Sequence, residues 1–219
     1  MHPYQLAFID LALERQALRF GRFMLKSGRE SPYFFNAACL SDGESLGVLG
    51  QCYAGAIVAA GIGFDMLFGP AYKGIPLATA TAIALHEKFG RRVAFTFNRK
   101  EVKDHGEGGS LSGAPLRGRV LIVDDVITAG TAVRESLDLI RAAGAQAVGV
   151  ALALDRQERG QGNTSAVQEL EQREGLKCVS IVTLADLIEA LARSQRADSG
   201  ISADQLTALR AYRQQYGVT

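Results

Sequence analysis

Two adjacent carboxylates, Asp124 and Asp125, follow the apolar run Val120-Leu121-Ile122-Val123 and precede Val126, Ile127 and a small, hydroxyl-bearing turn, Thr128-Ala129-Gly130-Thr131. An ionised Asp can only accept hydrogen bonds, so the partners it seeks are donors, and sugar hydroxyls are the natural ones. Behind the turn, Val133, Leu137 and Ile140 recur at helical spacing. A small turn leading into a helix presents backbone N–H groups and the positive end of the helix dipole to a phosphate. The carboxylates would repel that phosphate, which again points them at hydroxyls. The plainer alternative is a helix cap with a solvated acidic neighbour. Neither G-x-x-x-x-G-K-[ST] nor a G-x-G-x-x-G turn after a strand occurs, which argues against a P-loop and a dinucleotide fold.

The order apolar strand, acid pair, two apolar residues and T-A-G-T resembles the phosphoribosyl pyrophosphate (PRPP) signature of the type I phosphoribosyltransferases. The resemblance implies that Asp124 and Asp125 hold the ribose hydroxyls, and that Thr128, Ala129, Gly130 and Thr131 hold the 5′-phosphate.

Three further constellations bear on chemistry. Gly69-Pro70-Ala71-Tyr72-Lys73-Gly74-Ile75-Pro76 sits at a strand end and a helix start. Gly74 lets backbone approach closely, Pro76 suits a first helical turn, and Lys73 adds positive charge where helix N–H groups already favour an anion. Alone this reads as a tight turn with a solvated lysine. Beside the PRPP signature it reads as a pyrophosphate loop, and the resemblance implies a non-proline cis peptide between Ala71 and Tyr72. The stretch from Asn98 to Gly109 is almost devoid of apolar residues, ends in glycines, and carries Arg99, Lys100, Lys103 and His105, all able to be cationic. That composition predicts a mobile loop, either a solvated hairpin tip or a lid over a pyrophosphate. Arg156, at the end of the apolar run Val148–Leu154, could fork onto a planar carboxylate with two hydrogen bonds, or form an ordinary surface ion pair.

The elements that must position these residues follow from periodicity. Residues 4–18 and 44–60 read as helices, and residues 20–38 as a hairpin whose turn, Lys26-Ser27-Gly28-Arg29, relies on Gly28. From there strands at Met66–Phe68, Val93–Phe97, Val120–Val123, Val148–Leu154 and Val179–Leu184 alternate with helices at about 74–89, 131–143, 164–174, 184–192 and 203–215. This alternation predicts an α/β fold with a sheet covered on both faces, as one domain over 1–219 with about 20–40 forming a small hood.

Composition excludes several classes. The chain has 219 residues, 47% hydrophobic content and a formal net charge of +1, enough apolar material for one sizeable core and no global pull toward nucleic acid or membrane. Cys39, Cys52 and Cys178 are odd in number and widely spaced, which fits neither a disulfide framework nor a zinc site and suggests a reducing, cytoplasmic setting. No stretch reads as a signal peptide or a membrane span.

Taken together, residues 25–36 (LKSGRESPYFFN), 69–76, 99–109, 154–160 (LDRQERG) and 211–217 (AYRQQYG) resemble the orotate phosphoribosyltransferases, most of all the bacterial and fungal type. The resemblance implies a type I phosphoribosyltransferase fold with a central, mostly parallel sheet and an N-terminal hood. It also implies transfer of the 5-phosphoribosyl group from PRPP to orotate, giving orotidine 5′-monophosphate and pyrophosphate in pyrimidine biosynthesis. Mg²⁺ would be held by PRPP and water, and a homodimer would share the 99–109 loop between subunits. Implied PRPP contacts are Lys26, Tyr72, Lys73, Arg99, Lys100, Lys103 and His105, with Asp124, Asp125, Val126, Ile127, Thr128, Ala129, Gly130, Thr131 and Ala132. Orotate contacts would be Lys26, Phe34, Phe35, Thr128 and Arg156, with both phenylalanines packing on the pyrimidine ring and Arg156 taking its carboxylate. Lys103, His105, Asp124 and Asp125 would be catalytic. A phosphoribosyltransferase for a purine or uracil, and a PRPP-sensing regulator that binds RNA or DNA, are the competing readings. Arg156 speaks against the first, since only a base bearing a carboxylate rewards it. The cationic loop and the lack of a basic extension speak against the second.

Overall fold

The computed structural model describes residues 1–25, 27–103, 109–127, 130–160, 162–194 and 201–218, without the side chains of 101–103, 109 and 194. Helix α1 (Pro3–Glu14) starts on Pro3 with Gln5 reaching back to the His2 N–H at 2.8 Å. It stops short of the expected residue 18, because Gln16 turns left-handed at φ 54° and the buried Ala17 leads into a strand. Strands β1 (Leu18–Met24) and β2 (Glu30–Phe35) form the expected hairpin, an antiparallel pair of their own outside the main sheet, with Gly28 at φ 79° in the turn.

Helix α2 (Gly43–Ala59) is capped by Asp42, whose Oδ1 accepts the Ser45 N–H at 2.9 Å. After it come β3 (Met66–Gly69), α3 (Gly74–Phe89), β4 (Ala94–Lys103), β5 (Gly109–Gly113), β6 (Arg119–Asp124), α4 (Thr131–Ala142), β7 (Gln146–Asp155), α5 (Ala166–Glu174), β8 (Lys177–Thr183), α6 (Leu184–Ser194) and α7 (Ala203–Tyr216). The six strands β3–β8 form one sheet in the order β5-β4-β3-β6-β7-β8, parallel throughout except for β5, which returns antiparallel on β4.

That edge strand was not legible in the sequence. The charged stretch expected to be loop continues β4 as far as Lys103 and pairs back with Gly109. Its side chains need no core on a sheet edge, so a polar strand is stable there while an apolar pattern search passes over it.

The core lies on both faces of the sheet. Within β6, Leu121 and Val123 enter the cluster formed with α1, α2, α3, α6 and α7, whereas Val120 and Ile122 enter the one formed with α4 and α5. All four are fully buried, which is why the run reads as continuous rather than alternating. Among the described residues no helix is long and apolar enough to cross a membrane.

The packing of α2 on α3 is backbone to backbone. A Cβ on Gly50 would meet the Ala80 carbonyl oxygen at 2.5 Å, whereas one on Gly47 meets nothing within 4 Å. Gly50→Ala is therefore expected to destabilise by about 1–3 kcal/mol through overpacking. Gly47→Ala, one turn earlier, should instead stabilise by about 0.5–1 kcal/mol through helix propensity. Urea denaturation of both variants checks the opposite signs.

Candidate active site

Strand order decides where a ligand can sit. The chain passes from β3 outward to β4 on one side, then returns to lay β6 against β3 on the other. The carboxyl ends of β3 and β6 thus flank the point where connections diverge, the usual crevice of an open α/β sheet. The turns after β3 and β6 are two of the four stretches singled out in the sequence.

The turn after β3 is held by close backbone packing. A Cβ on Gly69 would lie 2.3 Å from the Gly74 carbonyl oxygen, and one on Gly74 would meet Pro70 Cδ at 2.5 Å and the Val123 carbonyl oxygen at 2.9 Å. Only glycine permits this approach of the turn to the end of β6. The Ala71–Tyr72 peptide is cis, as the family resemblance implies. The Ala71 N–H donates to Asn98 Oδ1 at 2.7 Å, so β4 fixes the turn from its other side. Tyr72 is exposed, and Lys100 Nζ lies 5.1 Å from its ring centroid. Arg99 instead donates to Ser112 Oγ at 3.0 Å, across the β4–β5 hairpin.

The acid pair lies at the end of β6. Asp124 and Asp125 are both buried. Asp124 Oδ1 accepts the Asp125 N–H at 2.9 Å, and Asp125 Oδ1 accepts the Val126 N–H at 2.9 Å. The Tyr53 hydroxyl, from α2, donates to the Asp124 carbonyl oxygen at 2.7 Å and anchors the strand end. The Asp125 carbonyl oxygen accepts the Ala153 N–H at 2.9 Å from β7. Lys73 Nζ reaches Asp125 Oδ2 at 2.7 Å, joining the two turns by an ion pair. Burial, reinforced by the neighbouring Asp125 charge, pushes the Asp124 carboxyl up to about 7. Val126 and Ile127 are half-buried, packed against the two opposite cores. Gly130, at φ 70°, precedes α4, whose exposed first residues are Thr131 and Ala132. Lys26, His105, Thr128 and Ala129, and the Lys103 side chain, lie outside the described residues.

Arg156 follows β7 and is largely buried, its side chain 12% exposed. Its guanidinium lies 4.4 Å from the Tyr33 ring centroid and pairs with Glu158. Gln157, between them, adopts φ 52° and is tied three ways: its N–H to Asp155 Oδ1, its carbonyl to the Val218 N–H and its side chain to the Ala185 N–H. Arg29 of the hood turn donates to the Arg159 and Gly160 carbonyls, so this loop is clamped between hood and C-terminus.

The expectation that both Phe34 and Phe35 rings pack on a pyrimidine needs correcting. Adjacent strand residues point to opposite faces. The Phe35 ring is buried in the core, 5.8 Å from Phe8, while Phe34 stacks on Phe23 at 5.6 Å. Tyr53, Asn98, Glu158 and Tyr212 were missed. Each acts through a contact with a residue distant in the chain, and only Glu158 and Tyr212 lie in stretches that carry the resemblance.

The family model described as the phosphoribosyl transferase domain matches residues 48–171. The chain is 63% identical over 218 residues to an orotate phosphoribosyltransferase of Thioalkalivibrio sulfidiphilus, covering 100% of both chains. The structure of a Francisella tularensis orotate phosphoribosyltransferase matches with a TM-score of 0.84 at 37% identity, over 96% of this chain and 98% of that one. A Mycobacterium tuberculosis orotate phosphoribosyltransferase in complex with PRPP matches with a TM-score of 0.63 at 26% identity, over 84% and 99%.

The raised Asp124 carboxyl has a consequence for stability. In the folded, ligand-free protein it keeps its proton up to about pH 7, whereas its ordinary value is 3.8. The folded state binds that proton more tightly across the interval, so stability declines as pH rises through it. Asp124→Asn removes the decline. The variant is expected to melt increasingly above the parent between pH 5 and pH 8, and a gap independent of pH would mean that Asp124 ionises as an ordinary carboxylate.

Proposed function

We infer that this chain, which belongs to the phosphoribosyltransferase family, is an orotate phosphoribosyltransferase acting in pyrimidine biosynthesis. It joins orotate to the ribose of PRPP and releases pyrophosphate. One observation carries the reading: the acid pair and Lys73 meet between the ends of β3 and β6, with the buried guanidinium of Arg156 at the neighbouring end of β7.

The proposed assignment of roles follows from charge. As the C1–oxygen bond to pyrophosphate breaks and the pyrimidine nitrogen bonds to C1, the ribose becomes oxocarbenium-like and negative charge builds on the leaving oxygens. Cations at the pyrophosphate and a closed, dry site lower that barrier. Lys73, Arg99, Lys100, Lys103 and His105 are the proposed cations. Asp124 and Asp125 accept from the ribose hydroxyls, with Asp125 exchanging its Lys73 partner for them as PRPP enters. The stretch Val126, Ile127, Thr128, Ala129, Gly130, Thr131 and Ala132 holds the 5′-phosphate. Lys26 reaches toward both substrates, Thr128 and the Phe34–Phe35 segment border the base, and Arg156 takes the orotate carboxylate.

Mg²⁺ is the proposed cofactor. The hard oxygens of the acid pair suit such an ion, which would be carried by PRPP oxygens and water, and when bound it neutralises the leaving pyrophosphate. A cytoplasmic setting is supported by the free Cys39, Cys52 and Cys178.

The test is a panel of orotate, uracil, adenine and hypoxanthine, each with PRPP and Mg²⁺; turnover of a base other than orotate in preference to it would overturn the reading. Within that assay, Arg156→Ala should raise the orotate KM far more than the PRPP KM. The cost is on the order of 2–3 kcal/mol for a lost charged contact. Equal effects on both substrates would remove Arg156 from the base site.

A homodimer in which each 99–109 loop serves the other subunit's site is part of the same proposal. Lys103→Ala and Asp125→Asn, each nearly inactive, are expected to complement when co-refolded. Random exchange leaves about a quarter of all sites without a lesion if Lys103 acts in trans. Activity no higher than that of the parents, with exchange confirmed by mass, would show that Lys103 serves its own subunit.

A further inference from the structure

We propose that Glu158, held in place by Tyr212 of α7, is the positioning residue that aims Arg156 at the carboxylate of the base, and that the C-terminal helix thereby contributes to base recognition. The inference rests on the orotate reading given above.

The side chains concerned come from three places in the chain. Glu158 Oε1 accepts from Arg156 Nη2, and their side chains are 12% and 15% exposed. The Tyr212 hydroxyl donates to the same Oε1 at 2.9 Å. Tyr212 in turn meets the Tyr33 ring edge-on at 6.1 Å, and that ring carries the Arg156 guanidinium on its face at 4.4 Å. Ser31 Oγ lies 3.4 Å from the same Nη2. Tyr33 and Ser31 belong to the hood, Glu158 to the loop after β7, and Tyr212 to the C-terminal helix.

Two features make this an aiming device rather than a plain ion pair. First, the contacts that Glu158 and Ser31 make with the Arg156 guanidinium both fall on Nη2. A guanidinium is planar and carries five N–H groups, so holding Nη2 and one face fixes the plane of the group and leaves the Nη1 and Nε donors, which lie on different edges, as single charged contacts for a carboxylate. Second, Glu158 is itself immobilised. Without the Tyr212 hydroxyl its carboxylate could rotate, and a long arginine side chain would regain the rotamer freedom that binding must then remove.

The experiment uses the full-length protein and steady-state kinetics with orotate and PRPP varied separately. Glu158→Ala frees the guanidinium and is expected to raise the orotate KM by about tenfold or more, the size of one lost charged hydrogen bond, with the PRPP KM changed less than about twofold. Glu158→Gln keeps an acceptor at the same place and should recover most of that rise. Tyr212→Phe, which retains the ring and its packing, should produce a smaller rise in the orotate KM alone, and it keeps the proposal testable should the alanine variant fold poorly. A merely structural role predicts the contrary: lower melting temperatures, with the KM of both substrates moving together or neither moving. Either result overturns the proposal. Parent turnover of orotate with a rise in the orotate KM for Arg156→Ala, but none for Glu158→Ala or Tyr212→Phe, would overturn the positioning role and leave the orotate reading standing. A parent that does not prefer orotate would overturn both.

Discussion

The structure depends on one electrostatic constraint, the burial of two adjacent carboxylates at the end of an apolar strand. Asp124 and Asp125 lie below a tenth exposed, side by side, at the mouth of the crevice between β3 and β6. Two ionised groups so placed repel each other and lose water, an arrangement a protein tolerates only with compensation. Compensation here takes two forms. Lys73 comes from the facing turn to pair with Asp125, and Asp124 keeps its proton to about pH 7. Neither is a stabilising device for its own sake. Both are undone in the proposed reaction, where ribose hydroxyls replace Lys73 and Asp124 must accept.

The rest of the fold serves to hold that pair and the facing turn in register. Gly69 and Gly74 bring the turn after β3 to van der Waals contact with the end of β6, where any Cβ would collide with backbone. Tyr53 and Asn98 tie the two turns from a helix and from a neighbouring strand. A site assembled from strand ends is more rigid than one assembled from loops, and in the proposed reaction the cationic end of β4, with Arg99, Lys100 and Lys103, supplies charge to it.

The side of the crevice proposed to take the base is built differently. Arg156 is buried with a counter-ion, which a buried cation requires. That counter-ion is in turn bonded to a tyrosine near the C-terminus, while the hood supplies an aromatic face. Hood, sheet and last helix therefore converge on a single guanidinium. The docking of Arg29 on the Arg159 and Gly160 carbonyls, and of Val218 on Gln157, gives this convergence a backbone frame.

The amino-acid sequence alone determined the local grammar: the buried strand before the acid pair, the small turn and helix behind it, the Gly-rich turn carrying Lys73, the hood hairpin and the alternation that makes an α/β sheet. These are legible because each depends on residues within a few positions of one another, through side-chain period, turn conformation and helix start. Tertiary structure alone decided the charge states and partners. Burial, not neighbours in the chain, raises Asp124. Lys73 and Asp125, or Glu158 and Tyr212, meet only because strand order brings distant segments together. The same holds where expectation failed: strand alternation turned the Phe35 ring into the core against Phe8, and an exposed sheet edge let a charged stretch become strand. Desolvation and pairing are set by what surrounds a group in space, and a sequence pattern carries no direct record of that.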